Sequence, residues 1–263
     1  AAIQGSVFAE STGRSLVFTV LRGRPARLLG FDVDTYESVV NLELVNTDGS
    51  WDIELSSDGY LYIAGANGHL FRHLPGSQQV SDLGVVLPGE KVVWDLAAGK
   101  DGEIFGGTYP GCKVFRYHPS TGFQDVGRGA LVPGENYVRS IAYDASSGDI
   151  YAGIGSHARL IKLNAKTGEK KEMLEKQFHD QEYIYSLGLV DGLTGGPRLL
   201  AWLTSSGKRQ TLIYNLIDGE VERLFNSIDV RSAIKSRHNN EVFYTAGSRL
   251  YKIDLSDSLA EAK

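Results

Sequence analysis

A motif that returns about every 45 residues constrains this chain more than any other feature. It opens with Trp51-Asp52, Trp94-Asp95, Val138-Arg139-Ser140, Ile184-Tyr185-Ser186 and Val230-Arg231-Ser232, in steps of 43, 44, 46 and 46 residues. A further step of 44 back from Trp51 reaches Val7, so six copies account for the chain. A period of this length built from short strands is the signature of a β-propeller, because one four-stranded blade cannot bury both faces until its neighbours stack on it. The expected fold is therefore all-β: a propeller of six four-stranded antiparallel blades, one domain over 1–263, with blades near 1–46, 47–88, 89–132, 133–177, 178–226 and 227–263.

The third copy reads most clearly. Val93 to Ala98 is an inner strand, Glu103 to Thr108 the second, Lys113 to Tyr117 the third and Phe123 to Gly127 the outer one. The breaks carry turn chemistry: Asp101-Gly102 and Thr121-Gly122 supply the positive φ of tight hairpins. Asp58-Gly59, Ser147-Gly148, Thr167-Gly168 and Asp218-Gly219 repeat it in the neighbouring copies. No helix is needed beyond a turn near Lys171 to Phe178. Both end copies carry four strands of their own, the last running from Asp257. Either whole blades close the ring side to side, or the chain is part of a seven-bladed propeller with a blade missing.

Composition narrows the function classes. With 27 basic and 32 acidic residues the net charge is -5, which gives no field favouring nucleic acid. Cys112 is the single cysteine, so no internal disulfide and no multi-cysteine metal site can form. The apolar runs fall far short of the roughly 20 residues a membrane helix needs, so no membrane partner is expected. Ala1-Ala2 suits the end left by a signal peptidase and points to a secreted or periplasmic protein.

Inner strands line the channel of a propeller, and the loops entering them share one face with the loops joining strands two and three. Function is expected on that face. Tyr109, in Gly-Gly-Thr-Tyr-Pro-Gly, and His157, in Gly-Ile-Gly-Ser-His, hold equivalent joining-loop positions after glycines that would admit a ligand to the backbone. They fit an acid and base pair, or else a turn cap and a loop brace. Arg139 and Arg231 would bring planar forks to the mouth, suited to a carboxylate or sulfate, or would brace acidic neighbours such as Asp52, Asp95 or Glu135. Trp51, Trp94 and Tyr185 open inner strands, as platforms for sugar rings or as packing between blades. No cofactor is expected. Asp52 and Asp95 could hold a channel cation only with more oxygen ligands than the repeat offers, and the histidines show no metal-ligand spacing.

Segments such as Asp101-Gly102-Glu103-Ile104-Phe105-Gly106-Gly107-Thr108-Tyr109-Pro110 and Lys113-Val114-Phe115-Arg116-Tyr117-His118-Pro119 resemble the superfamily of streptogramin-lyase-like and gluconolactonase-like bacterial propellers, over the whole chain. The rim equipment of Tyr, His and Arg is similar to that of propeller polysaccharide lyases acting on uronic-acid-containing glycans. That resemblance implies β-elimination, with His157 as base, Tyr109 as acid, Arg139 and Arg231 as carboxylate clamps, and Trp51, Trp94 and Tyr185 as further substrate contacts. The expected partner is an oligo- or polysaccharide, with further domains of a longer chain as a second kind of partner. Two alternatives stand beside the lyase: a non-catalytic module binding carbohydrate or protein, and a metal-dependent lactonase-like hydrolase.

Overall fold

The second strand of each repeat is apolar on both faces, and this decides how the repeats associate. A computed structural model of the chain describes residues 3–206, 208–226, 234–236, 239–246 and 248–255. The first sheet contains β1 (Ile3–Ser11), β2 (Arg14–Leu21), β3 (Ala26–Asp32) and β4 (Ser38–Leu44), hydrogen-bonded in chain order. The second contains β5 (Ser50–Leu55), β6 (Leu61–Gly65), β7 (His69–His73) and β8 (Val80–Val85), and the third β9 (Val92–Ala98), β10 (Ile104–Tyr109), β11 (Val114–His118) and β12 (Gly122–Asp125). In the fourth lie β13 (Tyr137–Asp144), β14 (Asp149–Gly155), β15 (Arg159–Asn164) and β16 (Lys170–Glu172). In the fifth lie β17 (Tyr183–Val190), β18 (Arg198–Ser205), β19 (Lys208–Asn215) and β20 (Val221–Asn226). A single pairing of Gly155 with Tyr183 fuses these two into one continuous sheet. The last sheet shows β21 (Ile234–Lys235), β22 (Glu241–Ala246) and β23 (Arg249–Asp254).

The sheets keep the phase of the sequence repeat, and all their pairings are antiparallel. Successive residues of a strand face opposite sides of its sheet. Leu61 and Ile63 of β6 accordingly pack with the first sheet around Phe18 and Leu28, while Tyr62 and Ala64 pack with the third around Val93 and Ile104. β10 repeats the arrangement: Ile104 looks back to the second sheet and Phe105 forward to the fourth. In β18 Leu199 and Ala201 turn to the fourth sheet, Leu200 and Trp202 to the last. The core is thus a series of apolar layers between sheets, and the inner strands β1, β5, β9, β13 and β17 pack on one another in succession. This is a propeller-like architecture.

The helical turn expected near Lys171 to Phe178 is a short 3-10 turn at Lys176–Phe178. No described helix is long and apolar enough to cross a membrane. The inner-strand start at Val230 and the strand expected from Asp257 lie outside the described residues.

Candidate functional site

The repeated motif marks a β-bulge. Between β5 and β6, Ser50 pairs with Gly65 and Asp52 with Ala64, so Trp51 is skipped. The same step skips Trp94 between β9 and β10, Arg139 between β13 and β14, Tyr185 between β17 and β18, and Gly5 between β1 and β2. An extra residue in one strand bends it and redirects a side chain. Here the bulge side chains of four successive sheets meet one another in turn. The Trp51 and Trp94 ring centroids are 4.6 Å apart, and the Arg139 guanidinium lies over Trp94 at 4.9 Å and over Tyr185 at 4.0 Å. Arg22 covers Trp51 at 5.2 Å, and Tyr185 meets Trp202 at 5.4 Å. The result is a continuous curved stack of rings and guanidinium groups.

After three of the bulges, the next residue ties one inner strand to the following one. The backbone N–H of Leu96 donates to Asp52 Oδ2 at 2.9 Å, and that of Ile141 to Asp95 Oδ2 at 2.8 Å. Ser140 Oγ donates to the Ile184 carbonyl at 2.9 Å. Asp52 and Asp95, weighed as oxygen ligands for a channel cation, are therefore committed to straps. Among the described residues no group of three or more His, Cys, Asp or Glu could hold a metal ion.

The straps are electrostatically loaded. Burial pushes the Asp52 carboxyl up to about 6, against the N–H of Leu96 and the charge of Arg139. Asp95 is raised as well, first by burial and then by the Asp52 charge, and the two carboxyls hydrogen-bond each other. Glu54, next on the same face of β5, is pushed up to about 8 by burial and by Asp52. Two carboxyls facing each other in a crowded interior share a proton more readily than they both ionise.

Above the stack sits a tyrosine cluster. Tyr109 stacks on Tyr137 at 4.6 Å, Tyr137 meets Trp94 at 5.8 Å, and Tyr183 approaches Tyr137 edge-on at 5.7 Å. Three successive sheets each supply one of these phenols. The glycines beside Tyr109 and His157 have another role than admitting a ligand. A Cβ on Gly155 would run into the Tyr183 ring, and one on Gly107 would stand 2.6 Å from the Val138 carbonyl oxygen. They let the next inner strand close in.

His157 stands on the rim with its side chain 72% exposed. Its Nδ1 lies 2.7 Å from Glu135 Oε1, and its backbone N–H donates to Glu135 Oε2 at 3.1 Å. Glu90 does the same one sheet earlier, accepting from the Gly111 N–H at 2.9 Å and pairing with Lys113 at 3.3 Å. Each Pro-Gly-Glu of an entering loop thus braces the joining loop of its own sheet. Glu135→Ala is expected to cost about 1 kcal/mol, because a hydrogen-bonded backbone donor and a side chain are released together. His157→Ala should stay within about 0.5 kcal/mol, as an exposed ring removes little packing. Thermal melts of the two variants check both.

The structure gathers Trp51, Trp94, Arg139 and Tyr185 into one stack, with Tyr109 joined to it through Tyr137. His157 stands on the same rim, tied to Glu135. Arg231 lies outside the described residues. Tyr137, Tyr183, Arg22, Glu54 and Glu135 complete the constellation. The two added tyrosines had a visible signal in Tyr137-Val138-Arg139-Ser140 and Tyr183-Ile184-Tyr185-Ser186, as did Glu135 in the Pro-Gly-Glu repeated after Glu90. A cavity of about 400 Å³, lined by Arg24, Asn46, Asp48 and Asn67, opens among the loops of the same face.

No protein-family model matches the sequence. No curated protein matches it either. Solved structures do. One is a chain of the mitotic checkpoint complex, 16% identical at a TM-score of 0.67, with 90% of this chain and 71% of that one covered. Another is the extracellular domain of the one-component system BT4673 from B. thetaiotaomicron, 20% identical at 0.64, where 96% of this chain spans 32% of the other. A third is a chain of the nidogen/laminin complex, 12% identical at 0.60, with 85% and 80% covered. At these identities the likeness is one of fold, and the fold shared with these structures is that of a β-propeller.

Proposed function

We propose that the chain is a six-bladed β-propeller module that binds a carboxylated glycan at the mouth carrying Arg139 and the tyrosine cluster. One observation carries this reading. The Arg139 guanidinium is held between the faces of Trp94 and Tyr185; the Asp52 and Asp95 carboxyls feel its charge, but it makes no hydrogen bond or close ion pair with another described residue. Ring contacts on both faces leave the N–H edge for a ligand, and that edge matches a carboxylate in a planar, bidentate way. Tyr109, Tyr137 and Tyr183 supply phenol edges and hydroxyls beside it, a lining suited to sugar rings. A secreted or periplasmic setting, where such glycans are met, goes with this reading.

The Glu135–His157 pair favours a second reading, the uronide lyase. A carboxylate on Nδ1 orients the imidazole and leaves Nε2 as a base at the rim. In that scheme His157 takes the C5 proton, the electron pair forms the C4–C5 double bond, and Tyr109 protonates the departing oxygen while Arg139 and Arg231 hold the carboxylate.

One experiment separates the readings: calorimetric titration with uronate oligosaccharides and their neutral counterparts, with ultraviolet absorbance followed in parallel. Preference for the acidic series without new absorbance supports the binding module, and a growing unsaturated product supports the lyase. Arg139→Met should weaken acidic ligands roughly 10- to 100-fold, the value of a charge-assisted pair. Equal affinity for acidic and neutral sugars, or none for either, would overturn the proposal.

A further inference from the structure

Away from the mouth, a cavity of about 340 Å³ opens between the fourth and fifth sheets. Its walls come from β14, β15, β16, the residues just after β16, β19, and the turn joining β19 to β20, which belongs to the loop set opposite the mouth. Tyr214, on this wall, is 1% exposed, yet its hydroxyl has no hydrogen-bond partner. A buried polar group left unmatched is costly in a native interior, so it asks for an explanation.

The charges around it supply one. Glu175, Asp218 and Glu220 line the cavity, and none is ion-paired with a described residue. On the basic side Lys162 is tied to Asp149 at 2.8 Å, which leaves Lys171 without an ion pair among the described residues. Glu172 is already held by Arg159 and His179. Glu175 accepts from Gln177 Nε2 and Asp218 Oδ1 from the Glu220 N–H, but neither donor carries charge, so the uncompensated charge on the walls is an excess of carboxylate. Burial and the Glu175 charge hold the Tyr214 phenol well above its ordinary range, so its oxygen stays a neutral acceptor.

We infer that this cleft between sheets seats an organic cation, an alkylammonium or guanidinium group whose N–H donors reach the Tyr214 oxygen and the carboxylates of Glu175, Asp218 and Glu220. The cleft is independent of the mouth, and its test uses different ligands. Spermidine and arginine amide are titrated into the full chain at low salt, with binding followed by calorimetry. Saturable binding is expected. Tyr214→Phe and Glu175→Gln should each weaken it roughly 3- to 10-fold, and Lys171→Gln should tighten it about threefold by removing a like charge. Tyr214→Phe should fold normally, since the hydroxyl has no partner to lose. The inference is overturned by any of three results: no saturable binding of either probe at millimolar concentration, binding indifferent to both Tyr214→Phe and Glu175→Gln, or weaker binding in Lys171→Gln.

Discussion

The unfolding free energy of this protein is expected to fall as pH rises from about 4.5 to 9, and Glu54→Gln is expected to remove a large part of that loss. Burial and the nearby Asp52 raise the Glu54 carboxyl from its usual 4.5 to about 8. A glutamate in the unfolded chain ionises above about 4.5. Between these values the unfolded state has released a proton that the folded state retains, so stability is complete below 4.5 and is lost as pH climbs through 8. Each pKa unit is worth about 1.4 kcal/mol, which sets a ceiling near 5 kcal/mol. The side chain is only half-buried and the charge is partly screened, so about 2 kcal/mol is expected. Glu54→Gln should therefore be about 2 kcal/mol more stable than the parent at pH 9 and equal to it at pH 4. Asp95→Asn should act in the same direction, because an amide keeps the acceptor for the Ile141 N–H and supplies the donor for Asp52 that a shared proton now provides. Asp32 works in a separate window. The backbone N–H of Thr35, with that of Asp34, holds its carboxyl below the usual range, so its contribution is lost only in acid. Urea unfolding at pH 4, 6.5 and 9 decides the matter; a pH profile of Glu54→Gln parallel to the parent's would show that Glu54 ionises freely in the fold.

The phase of the fold was legible in the sequence because its punctuation is local. Asp-Gly and Thr-Gly turns and the recurring inner-strand motif need no tertiary information, and β9 to β12 fall within a few residues of the strands read from them. What the motif residues do was harder to read. A bulge adds one residue to one strand, so alternation no longer tells which way Trp51, Trp94, Arg139 and Tyr185 point. Only the neighbouring sheet decides that they stack. Gly107 and Gly155 illustrate a second difficulty. A glycine before a loop admits a ligand and a neighbouring strand equally well, and the ring of Tyr183 and the carbonyl of Val138 occupy the space. His157 could be read as a base or as a brace, and its partner Glu135 lies in the preceding loop. The Pro-Gly-Glu shared with Glu90 was the clue that the carboxylate belongs to a recurring brace. Arg22 has no counterpart in the other copies, so periodicity gave no reason to single it out.

Trp94→Ala should be the most damaging substitution in the mouth, for stability and binding together. Trp94 touches Trp51, Tyr137 and Arg139, so its loss opens the stack at the centre. Removing a buried aromatic costs about 3–5 kcal/mol. Trp94 is half-buried, so about 2–3 kcal/mol is expected. The functional effect has its own cause. Arg139 would keep one ring face instead of two, and the nearby charges of Asp52 and Asp95 would then draw the guanidinium off the position that presents its edge. Affinity for acidic oligosaccharides should fall more than 10-fold, the scale of one charge-assisted hydrogen bond. Trp94→Phe separates packing from polar chemistry. The indole Nε1 is buried without a hydrogen-bond partner, so phenylalanine removes no bond while retaining a ring for Arg139. This second variant should stay within about 1 kcal/mol of the parent and keep most of its preference for acidic ligands. Urea unfolding and calorimetric titration of both variants test this. If Trp94→Ala loses stability but binds acidic sugars as the parent does, the stack serves the fold alone, and Arg139 is positioned by something other than Trp94.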